Sequence, residues 1–112
     1  MYKPKQGDIV WLTLDPQSGH EQWGRRPALI ISNDIFNRRS PTGAMICPIT
    51  NTNRKLPIQV PLDSRTLTTG VIMCEQAKAL DIESRQVDFI ERCPEDILEE
   101  VVDIVIGFVE IV

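Results

Sequence analysis

Residues 15–26 concentrate side chains that could transfer protons and bind phosphate. They include His20, Glu21, Gln22, Trp23, Arg25 and Arg26. An imidazole or a carboxylate can transfer a proton, a guanidinium can hold a phosphate through two hydrogen bonds, and an indole can stack on a base. The segment lies between two predicted strands and is longer than an ordinary hairpin loop, and loops of this length often carry function. The alternative is a solvated polar loop in which Trp23 covers the core.

Two further polar segments follow predicted strands. Residues 50–55 begin with hydroxyls and amides and end with two basic residues: Thr50, Asn51, Thr52, Asn53, Arg54 and Lys55. Asparagine can read base edges and basic side chains suit phosphate, although asparagine also favours ordinary turns. Residues 74–78 bring Glu75, Gln76 and Lys78 to the end of a strand, where they could line a cleft or form surface salt bridges.

Several classes of site have no support in the sequence. The three cysteines are 27 and 19 residues apart, there is one histidine, and neither a Cys-x-x-Cys pair nor a Gly-rich phosphate loop occurs. We therefore expect no metal, no cofactor and no disulfide, and we expect Cys47, Cys74 and Cys93 in the core. No apolar stretch is long enough for a membrane span, and the N-terminal residues contain no signal-peptide core. These features predict a cytoplasmic protein.

Charge is unevenly distributed along the 112 residues, whose net charge is −4. Residues 1–56 carry eight basic and four acidic side chains, whereas residues 57–112 carry four basic and twelve acidic ones. A basic half within an acidic chain indicates a local surface for a polyanion. Composition and length predict one globular domain over residues 1–112.

Short strands and one terminal helix are the predicted elements. Strands are expected at residues 8–14, 28–32, 44–49, 57–62 and 70–74, with a continuation at 77–80 past a bulge and a short strand at 87–90. The run at 28–32 is continuously apolar, which is typical of a strand buried on both faces. Pro94 is expected at the first position of an amphipathic helix whose apolar surplus could face a partner. The prediction is a mainly β fold, a small barrel with a C-terminal α-helix.

Three segments share an order and spacing of motifs. The first reads GDIVW at 7–11, GHEQ at 19–22 and GRRPA at 24–28; the second is CPIT at 47–50; the third runs from TGV at 69–71 to EQ at 75–76. Together they resemble the MazF/PemK (Kid) family of toxin endoribonucleases from type II toxin–antitoxin systems. The resemblance is in register from about residue 6 to residue 110.

The resemblance implies a fold, an activity and partners. It implies an SH3-like barrel of the MazF/PemK/CcdB type, a homodimer, sequence-specific and metal-independent cleavage of single-stranded RNA, and a cognate antitoxin that covers the RNA site. RNA supplies its own nucleophile, the 2′-OH, so attack on the adjacent phosphate would give 2′,3′-cyclic phosphate and 5′-OH ends.

Catalytic residues also follow from the resemblance. Arg26 matches the family's Arg-Pro arginine and is expected to stabilise phosphoryl charge, and Thr50 matches its threonine and is expected to orient the phosphate. In the Kid-like branch a histidine and an aspartate are implicated; His20 matches the first, while Glu75 stands at the second. That branch also carries an arginine where this chain has Met73, which favours the Arg26–Thr50 pair. The general base stays open. The residues expected to contact RNA are Glu21, Gln22, Arg25, Asn51, Asn53, Lys55 and Gln76.

Two alternatives without nuclease activity remain at this point. A gyrase poison of the CcdB type would share the fold, but that family uses a C-terminal tryptophan and this chain ends in Glu-Ile-Val. A plain SH3-like binding module would instead use Trp11 and Trp23 as a ligand platform.

Overall fold

The computed structural model describes residues 2–14, 25–41 and 43–112. The described elements, in chain order, are β1 (Asp8–Thr13), β2 (Arg25–Ile30), α1 (Asp34–Arg39), β3 (Gly43–Thr50), β4 (Gln59–Pro61), β5 (Val71–Met73), β6 (Lys78–Asp81), β7 (Asp88–Arg92) and α2 (Glu95–Val109). A 3₁₀ turn at Cys74–Gln76 separates β5 from β6. The mainly β fold with a C-terminal helix is thus confirmed.

The described strands form one antiparallel sheet whose order is β4-β5-β3-β2-β1-β7, with β6 paired to β3 beside β5. β3 is the central strand of this arrangement. Its end pairs with β5, where Ile49 lies opposite Ile72, and its beginning pairs with β6. Its other edge pairs with β2, where Ala28 lies opposite Pro48. Residues 28–30 of β2 and 46–48 of β3 are therefore held in a fixed register.

Buried side chains alternate between two apolar clusters on opposite faces of the sheet. In β2, Leu29 contributes to the first cluster, whereas Ala28 and Ile30 contribute to the second. The first cluster also contains α2, through Ile97 and other apolar residues of its first turns. This alternation confirms the prediction that the apolar run is buried on both faces. It leaves little freedom for β2 to slide, because a one-residue shift would exchange its faces.

All three cysteines are buried and free, as predicted. The last turns of α2 and the residues after it expose apolar side chains: Ile106, Phe108, Val109, Ile111 and Val112. The amphipathic helix is confirmed, although it begins at Glu95, with Pro94 as its N-cap residue. Within the described ranges, no helix is both long and apolar enough to cross a membrane.

Some predicted boundaries were wrong. β2 begins at Arg25 rather than at residue 28, so Arg25 and Arg26 belong to the sheet and not to the preceding loop. The expected bulge before β6 is a 3₁₀ turn. The short helix α1 was not predicted, because six residues are too few for an apolar periodicity to emerge. Its signal was Asn33, whose side chain accepts a hydrogen bond from Phe36 N at 2.9 Å as an N-cap.

β1 is tied to its neighbours by a buried carboxylate. The Asp8 side chain is only 4% exposed and forms an ion pair with Arg92 Nη1 at 2.8 Å. The Tyr2 hydroxyl and the backbone N–H of Lys5 donate to its other oxygen. Burial, together with the bonded carboxylate, raises the pKa of Tyr2. The phenol therefore stays a donor, and the segment before β1 is fixed against the sheet.

Candidate functional site

Arg26 stands on a rigid strand rather than on a loop. It lies opposite Leu12 of β1 and is exposed, whereas Ala28, two residues along the same face of β2, is fully buried. Residues i and i+2 of a strand point to the same face. The guanidinium thus projects from the solvent end of a row of buried side chains, with its backbone held by β1.

Thr50 ends β3 at the same edge of the sheet. Ala28 pairs with Pro48, so Arg26, two residues before Ala28, and Thr50, two residues after Pro48, stand beyond the same end of this ladder. The two residues that the resemblance predicted as a catalytic pair, a cation and a hydroxyl, thus lie at the same end of neighbouring strands.

The hydroxyl of Thr50 has a defined orientation. Its Oγ1 accepts a hydrogen bond from the backbone N–H of Thr52 at 3.1 Å. Among the described residues this hydroxyl acts as an acceptor and does not donate, so its proton remains available to a ligand. A neutral hydroxyl that donates can bind a phosphate oxygen, which fits the role expected for Thr50.

The segment after Thr50 is exposed from residue 51 to residue 57. Asn53 Oδ1 accepts from the backbone N–H of Lys55 at 2.7 Å, and Lys55 adopts a positive φ of 58°. This hydrogen bond closes an Asx turn and occupies the side-chain oxygen of Asn53. Asn53 therefore does form the ordinary turn that was the alternative interpretation of the asparagines. Arg54 and Lys55 form no ion pair with any residue that the structure describes. The basic end of the segment is open to an anion.

Thr69 and Gly70, which directly precede β5, contact the end of β3 at Thr50 and Asn51. Thr69 Oγ1 donates to Asn51 Oδ1 at 2.9 Å. Gly70 has a φ of +117°, and a Cβ built there would lie 2.4 Å from the carbonyl oxygen of Thr50. Only glycine permits this approach. Sequence reasoning noted the TGV motif but missed this role, since the contact joins residues far apart in the chain.

The loop that carries Thr69 is anchored to β7. Glu91 accepts hydrogen bonds from Leu67 N at 3.0 Å, Thr68 N at 2.8 Å and Thr68 Oγ1 at 2.7 Å. Burial raises the pKa of Glu91, but these hydrogen bonds outweigh burial and hold the pKa below its ordinary value. The carboxylate is therefore ionised near neutral pH and fixes the loop.

Glu75 belongs to neither of the two strands that carry Arg26 and Thr50. Glu75 lies in the exposed 3₁₀ turn with Gln76, and its Oε2 accepts from Gln59 Nε2 at 2.9 Å. Gln59 is buried, and its Oε1 has no partner among the described residues. Sequence reasoning missed Gln59, because no local pattern pairs it with Glu75.

Arg25 differs from its neighbour Arg26. Its guanidinium donates to the carboxylate of Asp88 and to the backbone carbonyl of Gln86. Its charge is thus largely compensated on the face opposite Arg26. His20, Glu21 and Gln22 lie outside the described residues, so their predicted roles stay predictions.

The cysteines are poor candidates for nucleophiles. Burial is the main cause that raises the pKa of Cys47 to about 12 and the pKa of Cys74 and Cys93 to about 11. Thiols with such pKa values are protonated near neutral pH and react slowly. Among the residues that the structure describes, no group of three histidine, cysteine or acidic side chains could hold a metal ion.

Comparison with known proteins decides the family. The family model of PemK-like, MazF-like toxins of type II toxin–antitoxin systems matches residues 5–108. The chain belongs to this toxin family. Endoribonuclease PemK of Escherichia coli is 40% identical over 103 residues, which cover 87% of this chain and 75% of that protein. Endoribonuclease EndoA of Bacillus subtilis is 37% identical over 102 residues, covering 87% and 86%.

Solved structures of MazF agree with the fold. The crystal structure of MazE–MazF (Form-II) from Deinococcus radiodurans matches with a TM-score of 0.86 and 34% identity, covering 96% of each chain. The expected enzyme class, endoribonuclease, is the one that the PemK, MazF and EndoA relatives carry. The comparisons favour the toxin endoribonuclease family over the gyrase-poison and binding-module alternatives.

Proposed function

We propose that this toxin-family chain is a sequence-specific endoribonuclease that cleaves single-stranded RNA without a metal. The observation that carries the proposal is the position of Arg26 and Thr50 at the same end of neighbouring strands, beside an exposed segment whose two cations have no ion-pair partner among the described residues. RNA is a polyanion, and it fits the basic half of an otherwise acidic chain. Single strands leave their bases free to be read.

In the proposed reaction the RNA 2′-OH attacks the adjacent phosphorus in line. The P–O5′ bond breaks, which leaves a 2′,3′-cyclic phosphate and a free 5′-OH. Arg26 donates hydrogen bonds to the phosphoryl oxygens as negative charge develops there. The Thr50 hydroxyl donates a hydrogen bond to a further phosphate oxygen. Both groups are held on paired strands, so they need little reorganisation during the reaction.

A base must accept the 2′-OH proton, and an acid must protonate the leaving 5′ oxygen. His20 and Glu75 are the candidates for these steps. Glu75 would act in place if the RNA chain or a second protomer brings it near the scissile phosphate, since it stands in the turn after β5 and its carboxylate already accepts from Gln59 Nε2. Otherwise Glu75 and Gln76 contact RNA beyond the cleaved linkage.

The remaining RNA contacts in this proposal surround the catalytic pair. Asn51, Asn53 and Lys55 would bind nucleotides next to the cut, and Glu21 and Gln22 would do so from residues 15–24. Arg25 would contribute only if RNA competes with Asp88 for its guanidinium. These assignments rest on position and hydrogen-bonding capacity.

We further propose a homodimer and a cognate antitoxin as partners. Complexes of MazE with MazF are found among the structural neighbours, which supports the antitoxin. The exposed apolar side chains at the end of α2 support a protein partner on that surface. A light-scattering mass near the chain mass of 12.7 kDa at micromolar concentration would contradict the dimer.

The decisive experiment is incubation of purified protein with a long, mostly unstructured RNA in EDTA, followed by mapping of the new ends. We expect cuts at one short motif with 5′-OH and cyclic phosphate ends. The Arg26→Ala variant, with circular dichroism unchanged, should lose cleavage and so excludes a contaminating nuclease. Cleavage that requires magnesium, or full activity in folded Arg26→Ala, would overturn the proposal.

A further inference from the structure

Three side chains at the end of β3 and just after it accept hydrogen bonds from other groups of the protein through their oxygen atoms. Thr50 Oγ1 accepts from Thr52 N, and Asn53 Oδ1 accepts from Lys55 N. Asn51 Oδ1 accepts from the hydroxyl of Thr69. We call Thr50, Asn51 and Asn53 the donor corner.

The hydrogen-bonding groups that the donor corner leaves available to a ligand are donors. A threonine retains its O–H, and each asparagine retains two amide N–H groups. None of these protons is donated to a residue that the structure describes. The adjacent Arg54 and Lys55 also carry donors and no acceptor. Asn51, Asn53 and these two cations are all exposed, so a ligand here meets hydrogen-bond donors.

Main-chain contacts orient two of these groups. The oxygens of Thr50 and Asn53 are held by main-chain N–H groups, which can only donate, so reversing the Asn53 amide would set N–H against N–H. Asn51 Oδ1 is instead held by the Thr69 hydroxyl, and a Cβ on Gly70 would lie 3.1 Å from it. The Asn53 donors are thus oriented before any ligand arrives, which lowers the ordering cost of binding.

We propose that the donor corner reads a nucleobase by its keto oxygen. This inference rests on the proposed RNA-cleaving function and specifies what that site recognises. The neutral amides of Asn51 and Asn53 suit base carbonyls, whereas the cations beside them suit phosphate. Uracil and guanine present an oxygen where cytosine and adenine present an exocyclic amine. An amine facing the donor corner leaves donors opposed and unsatisfied, so keto bases are preferred.

The test measures binding of uncleavable RNA. Fluorescein-labelled 2′-O-methyl hexauridylate and hexacytidylate lack the nucleophile. Their bases differ at position four, which is keto in uracil and amino in cytosine, and at the adjacent N3, which is protonated only in uracil. Fluorescence anisotropy at one fixed salt concentration gives both Kd values. We expect the wild type to bind the uridine oligomer about threefold to tenfold more tightly.

Asn53→Asp and Asn51→Asp are the informative variants. Aspartate keeps an oxygen for the internal hydrogen bond but replaces the outward N–H groups with an acceptor. The added charge weakens binding to both oligomers, so the uridine-to-cytidine ratio is the readout. We expect at least one variant to abolish or invert that ratio. Thr52→Asp adds the same charge at a neighbouring exposed position and should weaken the binding of both oligomers by the same factor.

The outcomes separate this inference from the proposed function. Equal binding of the two oligomers by the wild type, or an unchanged ratio in both asparagine variants, overturns the keto preference even if RNA is cleaved. A uridine preference that the variants remove, in a protein that cleaves no RNA, supports the inference and overturns the nuclease. Binding of neither oligomer overturns the keto preference, whereas the nuclease is decided by the cleavage experiment alone.

Discussion

Gly70→Ala should damage the fold and the candidate site together. Gly70 has a φ of +117°, a region that essentially only glycine occupies. An added Cβ would lie 2.4 Å from the carbonyl oxygen and 2.9 Å from the carbonyl carbon of Thr50. Both are backbone atoms of paired strands, so neither can swing aside as a flexible side chain would. Relief requires that β5 shift away from the end of β3.

The magnitude follows from these two contributions. A backbone conformation of this kind costs about 1–3 kcal/mol for a residue with a side chain. The steric overlap adds to it, so we expect a loss of about 2–4 kcal/mol in the free energy of unfolding. Urea m-values of small proteins are about 1–3 kcal/mol per molar, and a value near the middle of that range, about 2, lowers the midpoint by roughly 1–2 M.

Urea unfolding followed by circular dichroism, at equal protomer concentrations, measures this loss. Gly107→Ala provides a matched control, because nothing lies within 4 Å of its added Cβ and the residue is inside α2. Alanine there should stabilise the helix by up to about 1 kcal/mol. A Gly70→Ala variant within about 0.5 kcal/mol of wild type would refute the close-approach argument.

Further predictions concern stability and reactivity. Asp8→Asn removes a buried charge paired with Arg92 and should cost about 1–3 kcal/mol in thermal unfolding; an unchanged midpoint would contradict that pair's role. Because the pKa of Glu91 is lowered in the folded state, its stabilisation is present above the unfolded pKa, near 4.5, and is lost as pH falls through the folded value. Glu91→Gln should therefore flatten the acid limb of stability against pH, and parallel curves would argue against this linkage. Cys47, whose pKa is about 12, should react with a thiol reagent at pH 8 only after unfolding in urea; immediate reaction would disprove its burial.

Much of this architecture could be predicted from local sequence. The alternation of buried and exposed residues gives the strands, and the apolar run at 28–32 gives a strand buried on two faces. The spacing of apolar residues gives α2. Each of these signals lies within one element, so no knowledge of its partners is needed.

Contacts between distant segments could not be predicted in the same way. The position of Arg26 and Thr50 at the same end of neighbouring strands depends on the pairing of β2 with β3, and the Gly70 approach depends on β5. The resemblance to a toxin family named Arg26 and Thr50 but could not give their geometry. Glu75 was grouped with them by motif, whereas the structure places it in the turn after β5, where it is hydrogen-bonded to Gln59.

The exposed segment at residues 51–57 supplies no side chain to either apolar cluster. Substitutions on such a surface usually change stability by less than about 0.5 kcal/mol. Arg26 and Thr50, by contrast, sit on strands fixed by the packed sheet. Under the proposed function, cleavage by Arg26 and Thr50 and base recognition by residues 51–57 therefore depend on parts of the molecule under different structural constraints. A preference for a new RNA sequence could then evolve, or be selected from a library of this segment, while the proposed catalytic pair and the fold stay the same.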